Sequence, residues 1–278
     1  MKFVFIADVF ADEISGGGEL NNDEFINLLR ASGHEITTAL SHHVTRTLID
    51  NNSSCKFIIS NFINLHESAK EHLYNKEYCI YEHDHKYLRN RNPALYKDFI
   101  APDEDIVNLR FYKEAVAVFC QSEFHANIVR SNLKLDNIIS LGGNLWPEAT
   151  LDKLLEYSKE EKENRCSVMM SPILHKNTSG AVRWCKIQGK EYDLISSSSY
   201  EEFIRALTKN RTLVFFPQTP ETLSRIAVEA RMAGMKVVTN NLVGASYEDW
   251  FKLKEEELIN VMRNKRKEIL RTVVGSFE

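Results

Sequence analysis

The chain has 278 residues, 35 Lys and Arg against 39 Asp and Glu, and a formal net charge of −4 with a pI near 6.2. Its length favours two domains of ordinary size or one large one, and 43% hydrophobic with 27% charged residues is the make-up of a globular protein with ample core. Disorder, collagen and coiled coil are excluded. The mildly acidic balance argues against nucleic-acid binding driven by phosphate attraction. The longest apolar runs, Ala115–Cys120 and Thr212–Pro217, fall far short of the roughly 20 residues of a spanning helix.

Lys2–Asp8 is a short apolar run closed by an acid. It is too short for the apolar region of a secretion signal, lacks a small-residue cleavage site, and reads as a buried strand. The spacing of Phe25, Ile26, Leu28 and Leu29 predicts a helix over Asp23–Ala31. Strands follow at Glu35–Leu40, Lys56–Ser60, Tyr78–Glu82, Ala115–Gln121 and Asn137–Leu141, with helices at Val44–Asn51, Leu65–Tyr74, Glu104–Glu114 and Glu123–Leu133. In the second half, strands at Cys166–Ser171, Tyr192–Ser196, Leu213–Pro217 and Lys236–Thr239 alternate with helices at Thr178–Ile187, Tyr200–Lys209 and Glu221–Gly234. A charged helical pattern runs from Asp249 to the end.

Strand then helix, repeated this often, predicts an α/β protein with parallel sheets and helices on both faces. The polar stretch Ala149–Arg165 is expected to connect two Rossmann-like domains, residues 1–148 and 165–250. Cys55, Cys79, Cys120, Cys166 and Cys185 are odd in number, scattered, mostly in apolar runs and without a CxxC pair. They read as free thiols of a reducing compartment, the cytoplasm, with no structural zinc site.

Ligands of open α/β sheets sit beyond the carboxyl ends of the strands, and the unusual residues of this chain cluster in those loops. After the strand at Leu213–Pro217, Pro220 and Glu221 suit a helix start, where free N–H groups and the dipole favour negative charge. A helix through Glu221 and Glu229 would set the two acids about 12 Å apart along its axis. That is too far to flank one glycosidic bond, where carboxyls sit about 5 to 9.5 Å apart, and well suited to hold two ends of an extended ligand. The bland alternative is a capping acid and a solvated one.

Glu221-x7-Glu229, with Arg225 between, Ala230 after and the exit Ala233-Gly234-x-x-Val237-Val238-Thr239-Asn240, resembles the family-4-type retaining glycosyltransferases of the GT-B fold. The resemblance implies that Glu221 contacts the donor sugar and Glu229 the ribose of its nucleotide, with Thr222, Leu223 and Arg225 as further donor-binding positions. Ser15-Gly16-Gly17-Gly18-Glu19 resembles the family's N-terminal glycine-rich loop. Glycines there let backbone N–H groups approach a phosphate or sugar; the pattern is not GxGxxG, so a dinucleotide site is not supported.

Tyr81-Glu82-His83-Asp84-His85 resembles the family's cleft-facing His-Asp motif and implies His83 and Asp84 near the reacting sugar. His83 and His85 share one side of an extended chain and offer two metal ligands, but no third is signalled nearby. The segments Val118–Glu123 and Leu141–Asn144 match turns of the family and read as scaffold. Ser171–Thr178 lies where the family holds the donor diphosphate with an Arg and a Lys; Lys176 fits the Lys, Asn177 or Thr178 can cap the helix, and no Arg precedes them. Tyr192–Ser196 ends where the family's base-binding loop sits, and implies Tyr192 as a donor residue. The basic run Arg263-Asn264-Lys265-Arg266-Lys267, balanced by Glu255–Glu257, reads as a solvated helix face, with a membrane-surface or acceptor contact as the alternative.

The resemblance spans nearly the whole chain in register, though the second domain has room for only about four strands. It implies a compact GT-B enzyme that binds its donor in the inter-domain cleft, with the terminal helix, about residues 252–278, crossing back to the first domain. It implies sugar transfer from a nucleotide-sugar with retention at the anomeric carbon, by front-face displacement with no metal or other cofactor. The catalytic positions would be Glu221, His83, Asp84 and Lys176, and the donor-binding ones Gly16, Gly17, Gly18, Glu19, Lys176, Asn177, Thr178, Tyr192, Glu221, Thr222, Leu223, Arg225 and Glu229. A sugar-nucleotide epimerase, a phosphorylase, or a non-catalytic nucleotide-sugar binding module are the alternatives. The acceptor, a glycan, lipid or other molecule and not a nucleic acid, is unspecified.

Overall fold

A computed structural model describes residues 1–13, 16–197 and 199–278. Among them the chain runs β1 (Lys2–Ala7), α1 (Gly17–Ala31), β2 (Glu35–Leu40), α2 (Arg46–Asn51), β3 (Lys56–Ile59), α3 (Glu67–Leu73), β4 (Tyr78–Tyr81), α4 (Leu109–Lys113), β5 (Ala117–Cys120), α5 (Glu123–Leu133) and β6 (Ile138–Ser140). It continues through α6 (Glu148–Ser158), β7 (Glu163–Met169), α7 (Thr178–Ile187), β8 (Tyr192–Ile195), α8 (Tyr200–Leu207), β9 (Asn210–Phe215), α9 (Arg225–Met232), β10 (Lys236–Thr239) and α10 (Glu255–Gly275). The chain divides into two compact units, Met1–Leu145 with Arg266–Glu278, and Trp146–Lys265.

The first unit holds a six-stranded parallel sheet in the order β2-β1-β3-β4-β5-β6. Alternation along β1 explains why both of its faces are covered. Val4 and Ile6 enter a core shared with Ile49, Leu73, Phe111 and Val129 of α2 to α5, while Phe3, Phe5 and Ala7 enter a second core with Phe25 and Leu29 of α1 and Ile269 and Val273 of α10. The order of strands reverses between β1 and β3, so the crevice of this sheet opens at their carboxyl ends, at Asp8 and at Ser60 and Asn61.

The second unit holds four parallel strands in the order β10-β9-β7-β8, with the reversal between β7 and β9. Leu213 and Phe215 pack on one face with residues of α6, α8 and α9, while Cys166, Val168 and Val214 pack on the other against Ala181 and Cys185 of α7. This is the α/β architecture expected from the alternation of runs, in two Rossmann-like units.

Ala149–Arg165 is not a bare connection: α6 and the first residues of β7 occupy it, and Leu151 and Leu154 are buried in the core of the second unit. Its charges obscured an i, i+3 leucine pair that α6 turns inward. Glu104–Glu114 carries only a 3-10 turn at Asp103–Asp105 and the short α4, because Asn108 takes a left-handed φ of 57° between them. Gly17 and Gly18 form the first turn of α1, with Gly16 at its N-cap, instead of a loop; Ser15 lies outside the described residues.

The helix expected over Glu221–Gly234 starts at Arg225, not at Glu221. Glu221 lies in a single parallel bridge to Val243, its N–H donating to Leu242 O at 2.7 Å and its carbonyl accepting from Gly244 N at 2.9 Å. Leu223 then turns into the core and Ser224 takes a φ of 77°, so no helix axis links Glu221 to Glu229. The two acids are therefore not separated by an eight-residue helical rise.

Candidate functional site

At the crevice of the first unit, Asp8 closes β1 and fixes the loops beside it. Its carboxylate accepts from Ile63 N (2.9 Å), Asn64 N (3.0 Å) and the Ser41 hydroxyl. Glu19, at the third position of α1, accepts from Asn61 Nδ2 at 3.3 Å, and burial raises its carboxyl above the ordinary range. A Cβ on Gly16 would collide with that carboxylate, so the glycine makes room for Glu19 to fold back over the helix start.

His83 follows β4 and is held at both ring nitrogens. Asn144 Nδ2 donates to Gln121 Oε1 (3.0 Å), Gln121 donates to His83 Nδ1, and His83 Nε2 donates to Asn22 Oδ1 (2.6 Å), which also accepts from Ser60 Oγ (3.0 Å). This chain of bonds defines the Nε2–H tautomer and leaves the edge and face of the ring, against which Gly18 packs, as its contact surface. Asp84 turns elsewhere: its carboxylate pairs with Arg91 Nη1 at 3.1 Å near the surface. His85 is buried, its Nδ1 on the Tyr87 hydroxyl (3.1 Å), so the two histidines have separate surroundings. Among the described residues no group of three or more His, Cys, Asp or Glu is placed to hold a metal ion.

Behind His83 lies a polar group that sequence reasoning passed over. Glu82 is fully buried and bonded to Lys86, to the Tyr112 hydroxyl and to Asp84 N (2.9 Å). Burial pushes the Glu82 carboxyl up despite the opposing pull of Lys86 and Tyr112. His125, also buried, accepts from Gln121 N at Nδ1 (3.3 Å) and donates from Nε2 to Asp84 O (3.1 Å), which ties the loop after β4 to the loop after β5. Burial drives its pKa well below the ordinary value.

In the second unit the fold brings together two residues singled out from distant segments. Lys176 follows β7 and Glu221 follows β9, on either side of the strand reversal. Lys176 Nζ donates to Glu221 Oε1 at 2.7 Å and Oε2 at 3.0 Å, and both side chains keep some exposure, 25% and 13%. Asn177 and Thr178 support this loop through the backbone. Asn177 accepts from Gly180 N (3.1 Å) as the N-cap of α7 and donates to Phe216 O (2.9 Å), while Thr178 Oγ1 donates to Met169 O (2.8 Å). Their side chains are thereby committed to scaffold. Leu223 is a core residue. Tyr192 stands at the amino end of β8, paired with Cys166, at the opposite end of the strand from the loop after Ile195; it packs in the core and does not line that loop.

Glu229, on α9, is 3% exposed in its side chain and sits in a box of three partners. Trp146 Nε1 (2.8 Å), Tyr200 OH (2.7 Å) and Arg225 Nε (3.5 Å) all converge on Oε1, and the Arg225 guanidinium lies over the Trp146 ring at 4.4 Å. Arg225 is thus tied to Glu229, its i+4 neighbour. Burial beside Glu229 raises the Tyr200 hydroxyl well above its ordinary value. Trp146 and Tyr200 escaped the sequence reading because 83 and 29 residues separate them from Glu229. In the basic run of α10, Arg263 pairs with the exposed carboxylates of Glu148 and Asp152, whereas Arg266 pairs with Glu24 in a largely buried contact, so that part of the run is not a solvated face. No helix among the described residues is long and apolar enough to cross a membrane.

No protein-family model and no curated protein sequence matches the chain. Solved structures match along almost all of it. Anabaena Alr3699/HepE in complex with UDP and glucose is 12% identical, covering 97% of this chain and 92% of that one, with a TM-score of 0.54. An alpha-glucosyltransferase in complex with UDP and a 13-mer DNA is 10% identical over 98% and 94%, with a TM-score of 0.52. The Methanocaldococcus jannaschii UDP-GlcNAc 2-epimerase in complex with UDP-GlcNAc and UDP is 10% identical over 99% of both chains, with a TM-score of 0.57. At such identities the likeness shows the fold, which is GT-B.

Proposed function

We propose that the protein is a retaining glycosyltransferase of the family-4 type, which moves a sugar from a nucleotide-sugar to an acceptor hydroxyl without a metal ion. The observation that carries this reading is the Lys176–Glu221 pair at the strand reversal of the second sheet, where open α/β sheets hold their ligands. The presence of UDP with solved neighbours of the same fold supports it.

In this reading the donor exchanges the pair: Lys176 turns to the diphosphate and Glu221 to the sugar hydroxyls. The bond from the anomeric carbon to the phosphate oxygen breaks as the acceptor oxygen bonds to the same face of that carbon. The acceptor proton passes to the departing phosphate. The work of the protein is positioning and stabilisation of the charge that grows on the diphosphate, by Lys176 and the uncapped N-terminus of α9. Glu229 binds the ribose. In the first unit, the resemblance gives His83 to the reacting sugar and Glu19 to the donor. Thr178, Asn177, Leu223 and Tyr192 drop out of direct contact on their surroundings described above.

The test is a thermal-shift panel of UDP-, GDP-, ADP- and CMP-sugars with magnesium or EDTA, followed by NMR of the transfer product. A ligand at 100 times its dissociation constant adds about 2.7 kcal/mol. A shift for one base that survives EDTA, and a product of retained configuration, is the expected result; an inverted product or a shift abolished by EDTA would refute the mechanism. The net charge of −4 weighs against a nucleic-acid acceptor, but an oligonucleotide belongs in the acceptor screen because one neighbour holds DNA. A second reading, a sugar-nucleotide epimerase, is favoured by the full-length likeness to the archaeal 2-epimerase. It predicts an epimerised sugar from UDP-GlcNAc alone, with no acceptor present.

A further inference from the structure

The box around Glu229 is asymmetric. Trp146 Nε1 at 2.8 Å and Tyr200 OH at 2.7 Å donate to Oε1, and Arg225 Nε lies 3.5 Å from the same oxygen as an ion-pair partner. A carboxylate offers about two acceptor sites on each oxygen, so the hydrogen bonds from Trp146 and Tyr200 fill Oε1 and neither donor reaches Oε2. The side chain is almost wholly enclosed, and a buried carboxylate needs its remaining sites matched by donors. Trp146 is fully buried and its ring also backs the Arg225 guanidinium, so the carboxylate, the cation and the indole hold one another in a single arrangement.

We propose that Trp146 and Tyr200 are positioning residues that fix Glu229 with Oε2 turned to the ribose diol of the donor, and so make the second unit selective for ribonucleotides over deoxyribonucleotides. This rests on the nucleotide-sugar reading and extends it to the residues that set its sugar specificity. A vicinal diol supplies two O–H donors, the number of sites left on Oε2. A deoxyribose supplies one, and leaves a buried charge short of a partner, which is the circumstance in which discrimination by hydrogen bonding is strong. Neither residue need touch the nucleotide: the Tyr200 hydroxyl and the indole N–H act through the rotamer of Glu229.

The experiment is isothermal titration of the intact chain with UDP, GDP, ADP and CDP, each beside its 2′-deoxy and 3′-deoxy forms, for the wild type, Trp146→Phe, Tyr200→Phe and Glu229→Gln. Trp146→Phe keeps an aromatic ring beneath Arg225 but removes part of the indole with the N–H, whereas Tyr200→Phe removes the hydroxyl alone. The wild type should prefer the ribonucleotide by about tenfold or more, the scale of one charge-assisted hydrogen bond. Trp146→Phe and Tyr200→Phe should lose most of that preference, weakening the ribonucleotide while leaving the deoxy forms unchanged, and Glu229→Gln should abolish it. Equal losses for ribo and deoxy forms would show a purely structural role and overturn the proposal, as would a wild type that does not discriminate; both leave the nucleotide-sugar reading standing. A wild type that binds none of the nucleotides would instead remove that reading, and the proposal with it.

Discussion

His125 offers a test that needs no ligand. It is buried, and its two nitrogens are fixed by backbone: Nδ1 accepts from Gln121 N and Nε2 donates to Asp84 O. Burial, with His85 beside it, holds its pKa well below the ordinary 6.5, and a second proton would have to sit on Nδ1, against the Gln121 N–H. As pH falls through that ordinary value the unfolded chain takes up a proton that the folded chain refuses, so stability is lost on acidification. One unit below, at about pH 5.5, the unfolded state gains RT ln(1 + 10), about 1.4 kcal/mol; at about pH 7.5 the gain is under ~0.1 kcal/mol. His125→Gln keeps a donor and an acceptor but cannot titrate. Urea unfolding of both proteins at the two pH values should show the wild type losing about 1.3 kcal/mol more than the variant on acidification, since every other titrating group is common to both. Parallel losses would refute the reasoning, and would mean that His125 is protonated in the folded protein or reaches water.

Three further outcomes are expected. Glu221→Gln should lower turnover by about a hundredfold while nucleotide affinity, followed by titration, holds within about twofold, because its proposed contacts are to the sugar; Glu229→Ala should reverse that pattern. Lys86→Met strands Glu82 in the core and should cost about 3 kcal/mol near neutral pH by chemical denaturation. The burial-raised pKa of Glu82 means that this cost should shrink as pH falls and the carboxyl takes a proton. Ser224 holds a φ of 77° where glycine is at ease; Ser224→Gly should raise the unfolding free energy by about 0.5–1 kcal/mol, the relief of left-handed strain less the chain entropy of glycine.

Much of the fold was legible in the sequence because it rests on local pattern. The apolar runs of β1, β3 and β5 are continuous, as strands covered on both faces must be, and β2, α5, α7 and β10 fall where period and capping residues put them. Ser122 and Asn177 cap α5 and α7 with their own side chains, a signal that lies within three residues of chain. The candidate residues Lys176, Glu221, Glu229 and His83 were likewise visible, since each lies in or beside a loop at the carboxyl end of a strand or in a motif with a known pattern.

What only the tertiary structure decided is which of these residues meet, and on what terms. Lys176 and Glu221 are 45 residues apart, and the strand reversal between β7 and β9 alone makes them a pair. Local pattern placed Glu221 on a helix, but burial of Leu223 and pairing with Val243 outweigh helix propensity over those few residues. Trp146 and Tyr200 around Glu229, and Tyr112 around Glu82, carry no signal in their own neighbourhoods. The reason is physical. A strand or helix is fixed by residues two to four apart, whereas a buried charge takes its partners from whatever elements the packed fold delivers within about 3 Å.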